Sequence, residues 1–480
     1  MDKGRLNQYC VTFAVSLSAV LGGVVISWPT PVLPKLHNHE TNYNITDQQM
    51  SWLAAMSSPG FMFGSLLTKF TAERFGKRAT LLGSALPVVI GTIIILSTTT
   101  VWGLYIARLL WGTGTGLLGT VVSVYLAEIS DKEIRGTVTT ANRFMLSFGV
   151  FLVMSVGSFV SFNTLSYMIL VLTIFYFLAC CFIPETPYYY LKEGRVDAAR
   201  KSLKTLTGNK DETTLEERLS AMRSDVRKEM LHSGSVKELL TGKRYRKAMI
   251  IAIGLRFTQS MAGSTSIQRY LGRITQDSGS NINVSTVLII FGAVRFIVGI
   301  FSSAIVDKVG RRPLLIYSYI SSGVTLILVG SYFFIQPVSP TYNFIPFVGI
   351  ILSNILSTLG YDTLAFIIPA EIFPLNVKSA AMTFLNILGG FASFLTVKGY
   401  EEMKSLAGLT GVFWFFATSA IIGAVFTYFL VPETKGKSLR EIQIELQGDI
   451  YEKDGEKLNT IVVSDDVTAT ELKKLKSDET

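Results

Sequence analysis

Apolar residues run through this chain in about a dozen stretches, each long enough to cross a bilayer and each bounded by polar turns. A hydrocarbon core about 30 Å thick takes about 20 apolar residues as a helix, and a backbone in lipid must satisfy its own hydrogen bonds. The pattern therefore predicts an all-α integral membrane protein with twelve transmembrane helices. The predicted spans are 9–34, 50–70, 79–97, 102–127, 136–160, 165–183, 246–273, 284–305, 313–335, 342–370, 377–397 and 407–430.

The spans fall into two sets of six, separated by a charged insert. This predicts an N-terminal six-helix half at 1–183, linker helices at 184–245, a C-terminal half at 246–430 and a tail at 431–480. Within the insert, apolar residues between Val196 and Leu206 recur at helical spacing, which is typical of amphipathic helices under a bundle. The tail is polar and is expected to be disordered at its end.

Composition narrows the class of protein. Hydrophobic residues make up 49% and charged residues 16% of the 480 residues, and mean hydropathy is +0.42. The net charge of +9 is assigned to Lys and Arg retained on the cytoplasmic side, and not to a nucleic-acid site. The expected partners are the lipid bilayer and a small solute. Without a phosphate-binding glycine loop, paired histidines or a metal-ligand cluster, no enzyme activity, cofactor or metal is expected.

The turns between spans predict orientation. The basic stretches 73–78 and 307–312 belong inside, and the insert and tail share that side, so both termini are expected in the cytoplasm of a plasma-membrane protein. The opposite side carries two sequons, at Asn44 and at Asn283. Asn44 is the predicted glycosylation site because it lies in the longest outer loop, whereas Asn283 lies close to the membrane.

One motif occurs twice, after the second span of each half. Glu73…Gly76-Lys77-Arg78 corresponds to Asp307…Gly310-Arg311-Arg312. Glycine permits the tight turn, and the acid can hold the bases against a neighbouring helix. Repeated six-span halves are typical of transporters whose solute site lies at the midplane between the halves.

Further motifs strengthen this interpretation. They are Arg108 with Gly112, Gly114 and Gly116; Tyr125, Glu128, Arg135 and Gly136; Pro184-Glu185-Thr186-Pro187; Gln259, Gly263 and Tyr270; Glu371-Ile372-Phe373-Pro374; and Pro432-Glu433-Thr434-Lys435-Gly436. Over residues 9–445 the chain resembles the sugar porter family of the major facilitator superfamily, and in particular insect trehalose-transporter-like proteins. The resemblance implies the major facilitator fold and facilitative transport of a small sugar, trehalose or a hexose, by alternating access.

Charged residues at the inner helix ends are interpreted as a cytoplasmic gate. In similar porters such acids and bases pair across the halves and close the inner side of the outward-facing state. Exposed pairs contribute about 0–1 kcal/mol each, so a network is needed to bias two states. The predicted gate residues are Glu73, Lys77, Arg78, Glu128, Arg135, Asp307, Arg311, Arg312, Glu371 and Lys378.

The solute site departs from the family pattern. The usual Gly-Pro-x-Pro-Trp reads Asp362-Thr363-Leu364-Ala365-Phe366, and loss of the prolines predicts a stiffer helix. An Asn-Trp pair of relatives reads Gly389-Gly390. The predicted site residues are Gln259, Ser260, Thr265, Arg143, Arg295, Thr358 and Asp362, with Tyr270 and Phe366 as aromatic surface and Asn386 nearby.

Charges within the spans leave two interpretations open. Arg143, Arg295 and Asp362 form either a cluster suited to an anionic solute such as a sugar acid, or a structural salt bridge in a protein that no longer transports. Arg256 and Arg269 are expected to snorkel towards water. Proton coupling is not expected, because an arginine partner would keep Asp362 ionised.

A different class of function also remains open. The chain could be a solute sensor of the same fold that signals through its tail, since several sugar-binding amides and the proline break are missing. The nearly complete set of inner gate charges argues against that reading.

Overall fold

The computed structural model describes residues 3–38, 40–41, 43–131, 134–208, 212–231, 239, 242–279, 282–335, 344–437 and 439–447. Its helices are α1 Lys3–Ser27, α2 Pro29–His37, α3 Asp47–Ala55, α4 Ser57–Arg74, α5 Lys77–Ser97, α6 Val101–Ile129, α7 Arg135–Val156, α8 Phe162–Cys181, α9 Pro187–Lys192, α10 Val196–Thr207, α11 Glu212–Leu231, α12 Arg246–Met261, α13 Ser264–Asp277, α14 Val284–Val309, α15 Arg311–Ile335, α16 Ile345–Leu359, α17 Tyr361–Ile372, α18 Leu375–Leu430 and α19 Leu439–Gln447. A short 3₁₀ turn, Lys243–Tyr245, precedes α12. We call α1–α8 the N-terminal helices and α12–α18 the C-terminal helices.

Long apolar helices dominate the structure. In the described part of the chain, nine helical stretches are long and apolar enough to cross a membrane. Many large apolar side chains remain exposed along them, among them Phe70, Trp102 and Phe182. A water-soluble bundle would bury such side chains, so their exposure indicates a lipid-facing surface.

Helices α4 and α6 pack through glycines. An added Cβ on Gly60 or Gly64 would lie 2.1–2.2 Å from a carbonyl oxygen of α6, and one on Gly112 or Gly116 would lie 2.2–2.3 Å from a carbonyl oxygen of α4. Small residues four apart on both helices allow this backbone approach, as is common between transmembrane helices. The glycines of the 112–116 motif therefore serve packing.

Several predicted spans are broken into two helices. The first breaks at Trp28, the second at Met56, and the seventh at Ala262–Gly263, where Gly263 has φ +83°. The span predicted at 342–370 also breaks, at Gly360, between α16 and α17. The helix is thus not continuous over the predicted span, and its stiffness stays a prediction. Glycine interrupts it without proline, and a Cβ at Gly360 would lie 2.0 Å from Ser318 Oγ.

Helix α18 reverses direction at Gly408, whose φ of +65° and ψ of −174° are not helical. Both ends of α18 therefore lie at one end of the bundle. Near its start Glu371 binds Arg311, and near its end the carbonyl of Tyr428 accepts a hydrogen bond from Arg312.

Helices α9–α11 form a small layer at that same end. Ala199, Leu203 and Leu206 of α10 are buried, as the amphipathic pattern of the insert predicts. Arg218 of α11 binds Asp131, at the end of α6, at 2.8 Å, and Asn7 of α1 donates to the carbonyl of Thr205. We call this end, which carries the turns at Gly76 and Gly310, the basic face, and the other end the opposite face. Residues 448–480, including the predicted disordered end of the tail, lie outside the described residues.

Candidate solute site and the two faces of the bundle

Asp362 is the centre of a polar group inside the C-terminal helices. Its Oδ1 accepts hydrogen bonds from Gln259 Nε2 at 3.0 Å and from Ser264 Oγ at 2.7 Å. Arg295 Nη2 lies 3.8 Å from Oδ2, and Arg295 also donates to Asn354 Oδ1 at 3.1 Å. We call these five residues the central polar group. Five helices, α12, α13, α14, α16 and α17, contribute to it.

The two glycine breaks position this group. Gly263 ends α12, so that Ser264 begins α13, and Gly360 places Asp362 in the first turn of α17. A helix N-terminus carries a partial positive charge, which favours a carboxylate there. A conventional side chain at Gly263 would meet the Phe416 ring at 2.3 Å, so this geometry requires glycine.

Three buried polar atoms in or beside the group make no hydrogen bond among the described residues. They are Asp362 Oδ2, which lies 3.8 Å from Arg295 Nη2, Asn354 Nδ2 and Thr358 Oγ1. A narrow cleft bordered by Ser264, Asn354 and Phe291 has room in this structure for about one water molecule. Buried donors and acceptors are normally satisfied, so the three atoms favour a polar ligand beside the central polar group.

Arg256 lies one turn before Gln259 on α12 and is 4% exposed. Its Nη2 donates to Asn386 Oδ1 at 2.8 Å, and its Cζ lies 3.7 Å from the centre of the Phe366 ring. Asn386 Nδ2 donates to Thr120 of α6 at 3.2 Å, which joins the C-terminal to the N-terminal helices. Phe366 and Asn386, both predicted site residues, thus contact the same side chain, Arg256, which the predicted site did not include.

The expectation that Arg256 and Arg269 snorkel was wrong. Arg269 is 5% exposed and donates to the carbonyl of Ala54 at 2.8 Å. Each arginine lies within a half of the broken seventh span and contacts other helices. Neither guanidinium extends to a helix end.

The predicted three-residue charge cluster is only partly present. Arg295 and Asp362 lie together, but the described residues give Arg143 of α7 no ion pair with Asp362 and no hydrogen bond. Arg143 was placed in the cluster because it lies in the middle of a span. The position of a residue along a span does not show towards which neighbouring helix its side chain points.

Three other predicted site residues do not join the central polar group. Ser260 is buried at the end of α12, and Thr265 is half-buried on α13. Tyr270 is stacked on Tyr400, with ring centres 4.1 Å apart, and donates to the carbonyl of Val397. The Tyr270 ring offers no exposed surface in this structure.

At the basic face, Glu185 organises the N-terminal helices. Its carboxylate accepts hydrogen bonds from the backbone N–H groups of Lys77 at 3.2 Å and Arg78 at 2.9 Å. The Lys77 ammonium pairs with Glu128, and the Arg78 guanidinium donates to the carbonyl of Cys181. Burial raises the pKa of Glu185, although the N–H groups of Thr186, Arg78 and Lys77 act in the opposite direction.

Glu433 plays the equivalent part in the C-terminal helices. It accepts from the backbone N–H groups of Arg311 and Arg312, each at 3.0 Å. The Arg311 side chain binds Glu371 at 3.1 Å, and Thr434 donates to the same carboxylate. Burial disfavours the charged form of Glu433, but the N–H groups of Lys435, Arg311 and Arg312 outweigh burial and lower its pKa.

Among the described residues, these pairs lie within one set of helices and do not join the two sets. The exposed Glu73 side chain makes no ion pair among the described residues. Lys378 is half-buried, and the charge of Glu371, in the same set of helices, acts on it. The side chains of the predicted gate residues Arg135 and Asp307 lie outside the described part of the chain. The pairing across halves stays a prediction for another state.

At the opposite face the two sets are joined directly. Arg273 of α13, 3% exposed, binds Asp47 of α3 at 3.1 Å. Gln276 donates to Asn38 Oδ1 at 3.1 Å, and Thr30 donates to the carbonyl of Gln268 at 2.8 Å. The polar residues on one helix, Ser264–Asp277, were the available sequence signal, but their partners lie more than 200 residues away.

Comparison with known proteins places this geometry in a family. The chain matches the family described as "Sugar (and other) transporter" over residues 17–446. The chain belongs to that family. This is a family of membrane transporters and not of enzymes, in agreement with the sequence-based expectation.

The curated relatives include insect proteins. The chain is 29% identical over 449 residues to a "Facilitated trehalose transporter Tret1" of Aedes aegypti, with 92% of this chain and 56% of that protein covered. It is 28% identical over 452 residues to the protein of the same name from Culex quinquefasciatus, with 93% and 87% covered. The chain therefore spans about half of the first relative's length.

Solved structures show the same fold. The inward open conformation of the xylose transporter XylE from E. coli superposes with a TM-score of 0.75 at 19% identity, covering 91% of this chain and 99% of that one. The proton:xylose symporter XylE bound to 6-bromo-6-deoxy-D-glucose gives 0.74 at 18% identity, covering 92% and 100%. The all-helical architecture is thus the major facilitator fold.

Proposed function

We propose that this protein is a facilitative carrier of a small sugar or sugar-like solute, working by alternating access. The observation that carries the proposal is the difference between the two faces. Hydrogen bonds and an ion pair join the two sets of helices at the opposite face, whereas the described ion pairs at the basic face lie within one set. A carrier open on one side requires this asymmetry.

The proposed topology has twelve spans in two halves, 1–183 and 246–430, with the linker 184–245 between them. Nine candidate spans are recorded among the described residues. The stretch Val377–Leu430 reverses at Gly408 and counts twice, and α3–α4 and α12–α13 add the remaining two. The basic turns favour a cytoplasmic basic face, with both termini there, in the plasma membrane.

Asn44 is exposed on the opposite face, just before Thr46 caps α3. We therefore place it outside the cell, where a glycan could be attached. Asn44→Gln should abolish a glycosidase-sensitive shift in gel mobility. A shift that persists in the variant would place the glycan elsewhere.

The solute is proposed to bind at the central polar group. Trehalose and hexoses present many hydroxyls, and the atoms of Asp362, Asn354 and Thr358 that make no hydrogen bond among the described residues are acceptors and donors for them. Binding at a site where two helices break near mid-span agrees with the architecture of other transporters.

The test is uptake of labelled trehalose, glucose and a sugar acid by oocytes that express the full chain. Saturable uptake of any of the three supports a carrier. Asp362→Asn removes the charge that holds Gln259 and Ser264 and should lower uptake about tenfold, equivalent to about 1.4 kcal/mol. Glu402→Gln, at an exposed position of the opposite face, is the control. Absence of uptake of all three solutes, with the chain present at the cell surface, would contradict the carrier and favour a sensor.

A further inference from the structure

The buried arginines of this bundle differ in how their charge is compensated. Arg273 has two carboxylates, Asp47 and Asp277, within 4 Å, and Arg295 has Asp362 at 3.8 Å. Arg108 has no carboxylate, but carbonyl oxygens of Leu53 and Val25 and the Ser57 hydroxyl accept from all three of its nitrogens. It is thus locked into the structure.

Arg256 has neither form of compensation. Among the described residues one acceptor binds it, the neutral amide of Asn386, and no carboxylate pairs with it. A guanidinium has five N–H donors in a planar fork, and the remaining nitrogens of Arg256 are not among the fully buried atoms that lack a partner. They therefore face space that something else can fill.

The depth of Arg256 makes its charge costly, because only a neutral amide and the face of the Phe366 ring offset it among the described residues. It lies ten residues into α12, about 15 Å from the start of the helix and so near the middle of a bilayer. A charge at that depth costs about 2.5–3.5 kcal/mol on insertion scales and by default marks function.

Gly389 lies beside the guanidinium and leaves room for a methyl group there. A Cβ built on Gly389 would have Arg256 atoms as its three nearest neighbours, at 3.7–3.9 Å, which is ordinary van der Waals contact. The Phe366 ring beneath the guanidinium is 45% exposed and offers an apolar surface. Asn386 accepts a hydrogen bond from Nη2 of Arg256, and the other N–H donors of the guanidinium stay available.

We propose that Arg256 binds the carboxylate of the transported solute, so that the carrier prefers sugar acids to neutral sugars. Carboxylates match the guanidinium fork in a two-point hydrogen bond, the sugar ring would lie against Phe366, and its hydroxyls would reach the central polar group. This inference rests on the proposed function, since it names the solute class of the same site. It assigns the anion to Arg256, whereas the sequence suggested a cluster of Arg143, Arg295 and Asp362.

The experiment measures equilibrium binding of labelled glucuronate, glucuronamide and glucose to the purified full chain in detergent. Glucuronamide has the shape of the acid without its charge. We expect the wild-type chain to bind glucuronate at least tenfold more tightly than glucuronamide. Arg256→Gln should reduce that ratio to below about twofold. Arg256→Lys keeps the charge but not the fork and should give an intermediate ratio.

Arg143→Gln is the matched control, because it removes the same charge from a half-buried position outside the central polar group, and it should keep the wild-type ratio. Equal wild-type affinity for acid and amide would overturn the inference and leave the sugar carrier standing. A ratio that falls in Arg143→Gln but not in Arg256→Gln would also overturn it. Absence of saturable binding of all three solutes to folded protein would count against both proposals.

Discussion

The two faces of the bundle use polar residues in opposite ways. At the opposite face, Arg273, Gln276 and Thr30 join the N-terminal helices to the C-terminal helices. At the basic face, the described ion pairs Lys77–Glu128 and Arg311–Glu371 each tie together helices of the same set. The ion pairs of the basic face therefore keep each set of helices rigid, whereas the contacts of the opposite face hold the two sets against each other. To open the opposite face, the protein must break only the few hydrogen bonds and the ion pair that join the two sets there. At the basic face the two sets can move apart without breaking the ion pairs described, since each pair lies within one set.

The largest loss of stability is expected from a substitution at Gly263. This residue lies at the break between α12 and α13, which together run from the basic face to the opposite face. In Gly263→Ala the new Cβ would face the Phe416 ring at 2.3 Å, at a backbone φ of +83°. The strain of a left-handed backbone at alanine and the overpacking against Phe416 should together lower the free energy of unfolding by about 2–5 kcal/mol. We expect little monodisperse protein in size-exclusion chromatography of the detergent extract.

Gly399→Ala is the matched control, since its Cβ would meet nothing within 4 Å and alanine favours a helix. A Gly263→Ala chain that purifies as well as Gly399→Ala would show that the break can relax, and that it does not fix the relation between the faces.

A smaller effect is expected from Arg273→Ala, which removes the ion pair across the opposite face. Without Arg273, Asp277 keeps Lys404 as a partner and the exposed Asp47 is solvated by water. The loss therefore falls on the contact between the two sets more than on the fold. Spin labels at Asn44 and Asn283, both exposed on this face, would report it by pulsed electron resonance in a chain without its three cysteines. The distance distribution should gain a longer component.

Lys404→Ala provides the control, because Lys404 binds Asp277 on the same face but within the C-terminal helices. It should leave the distribution unchanged. The same longer component in both variants would mean that general loss of charge, and not the bond between the sets, holds this face closed.

Sequence reasoning recovered the all-helical major facilitator fold because apolar span length and the repeated basic turns depend on local residues. It failed where the outcome depended on helix rotation or on distant partners. Arg143 and Asp362 are both mid-span charges, yet the structure does not bring them together. Gly360 breaks the span predicted at 342–370 into two helices. Arg273 and Asp47 meet across 226 residues of sequence, and no local pattern predicts such a pair.

The smallest effect concerns the two carboxylates that organise the basic face. The pKa of Glu185 is raised above 4.5 in the folded chain, so the folded state binds its proton more readily than the unfolded state, and stability rises as pH falls towards that value. The pKa of Glu433 is lowered below 4.5. Its contribution is complete above pH 4.5 and is lost as the pH falls through the lower folded value.

Glu185 should therefore contribute a small stabilisation as the pH falls from 7 to 5, measured by thermal unfolding in detergent. Glu185→Gln mimics the protonated form and should remove the Glu185 contribution and so reduce the pH dependence, whereas Glu433→Gln should lower the melting temperature at both pH values and leave the pH dependence as in the wild-type chain. If Glu433→Gln removed the pH dependence instead, the assignment of the two sites would be reversed. The Glu185 and Glu433 sites would then still share the same backbone geometry. Proton binding by Glu433, in the C-terminal helices, would stabilise the basic face, and proton binding by Glu185 would not.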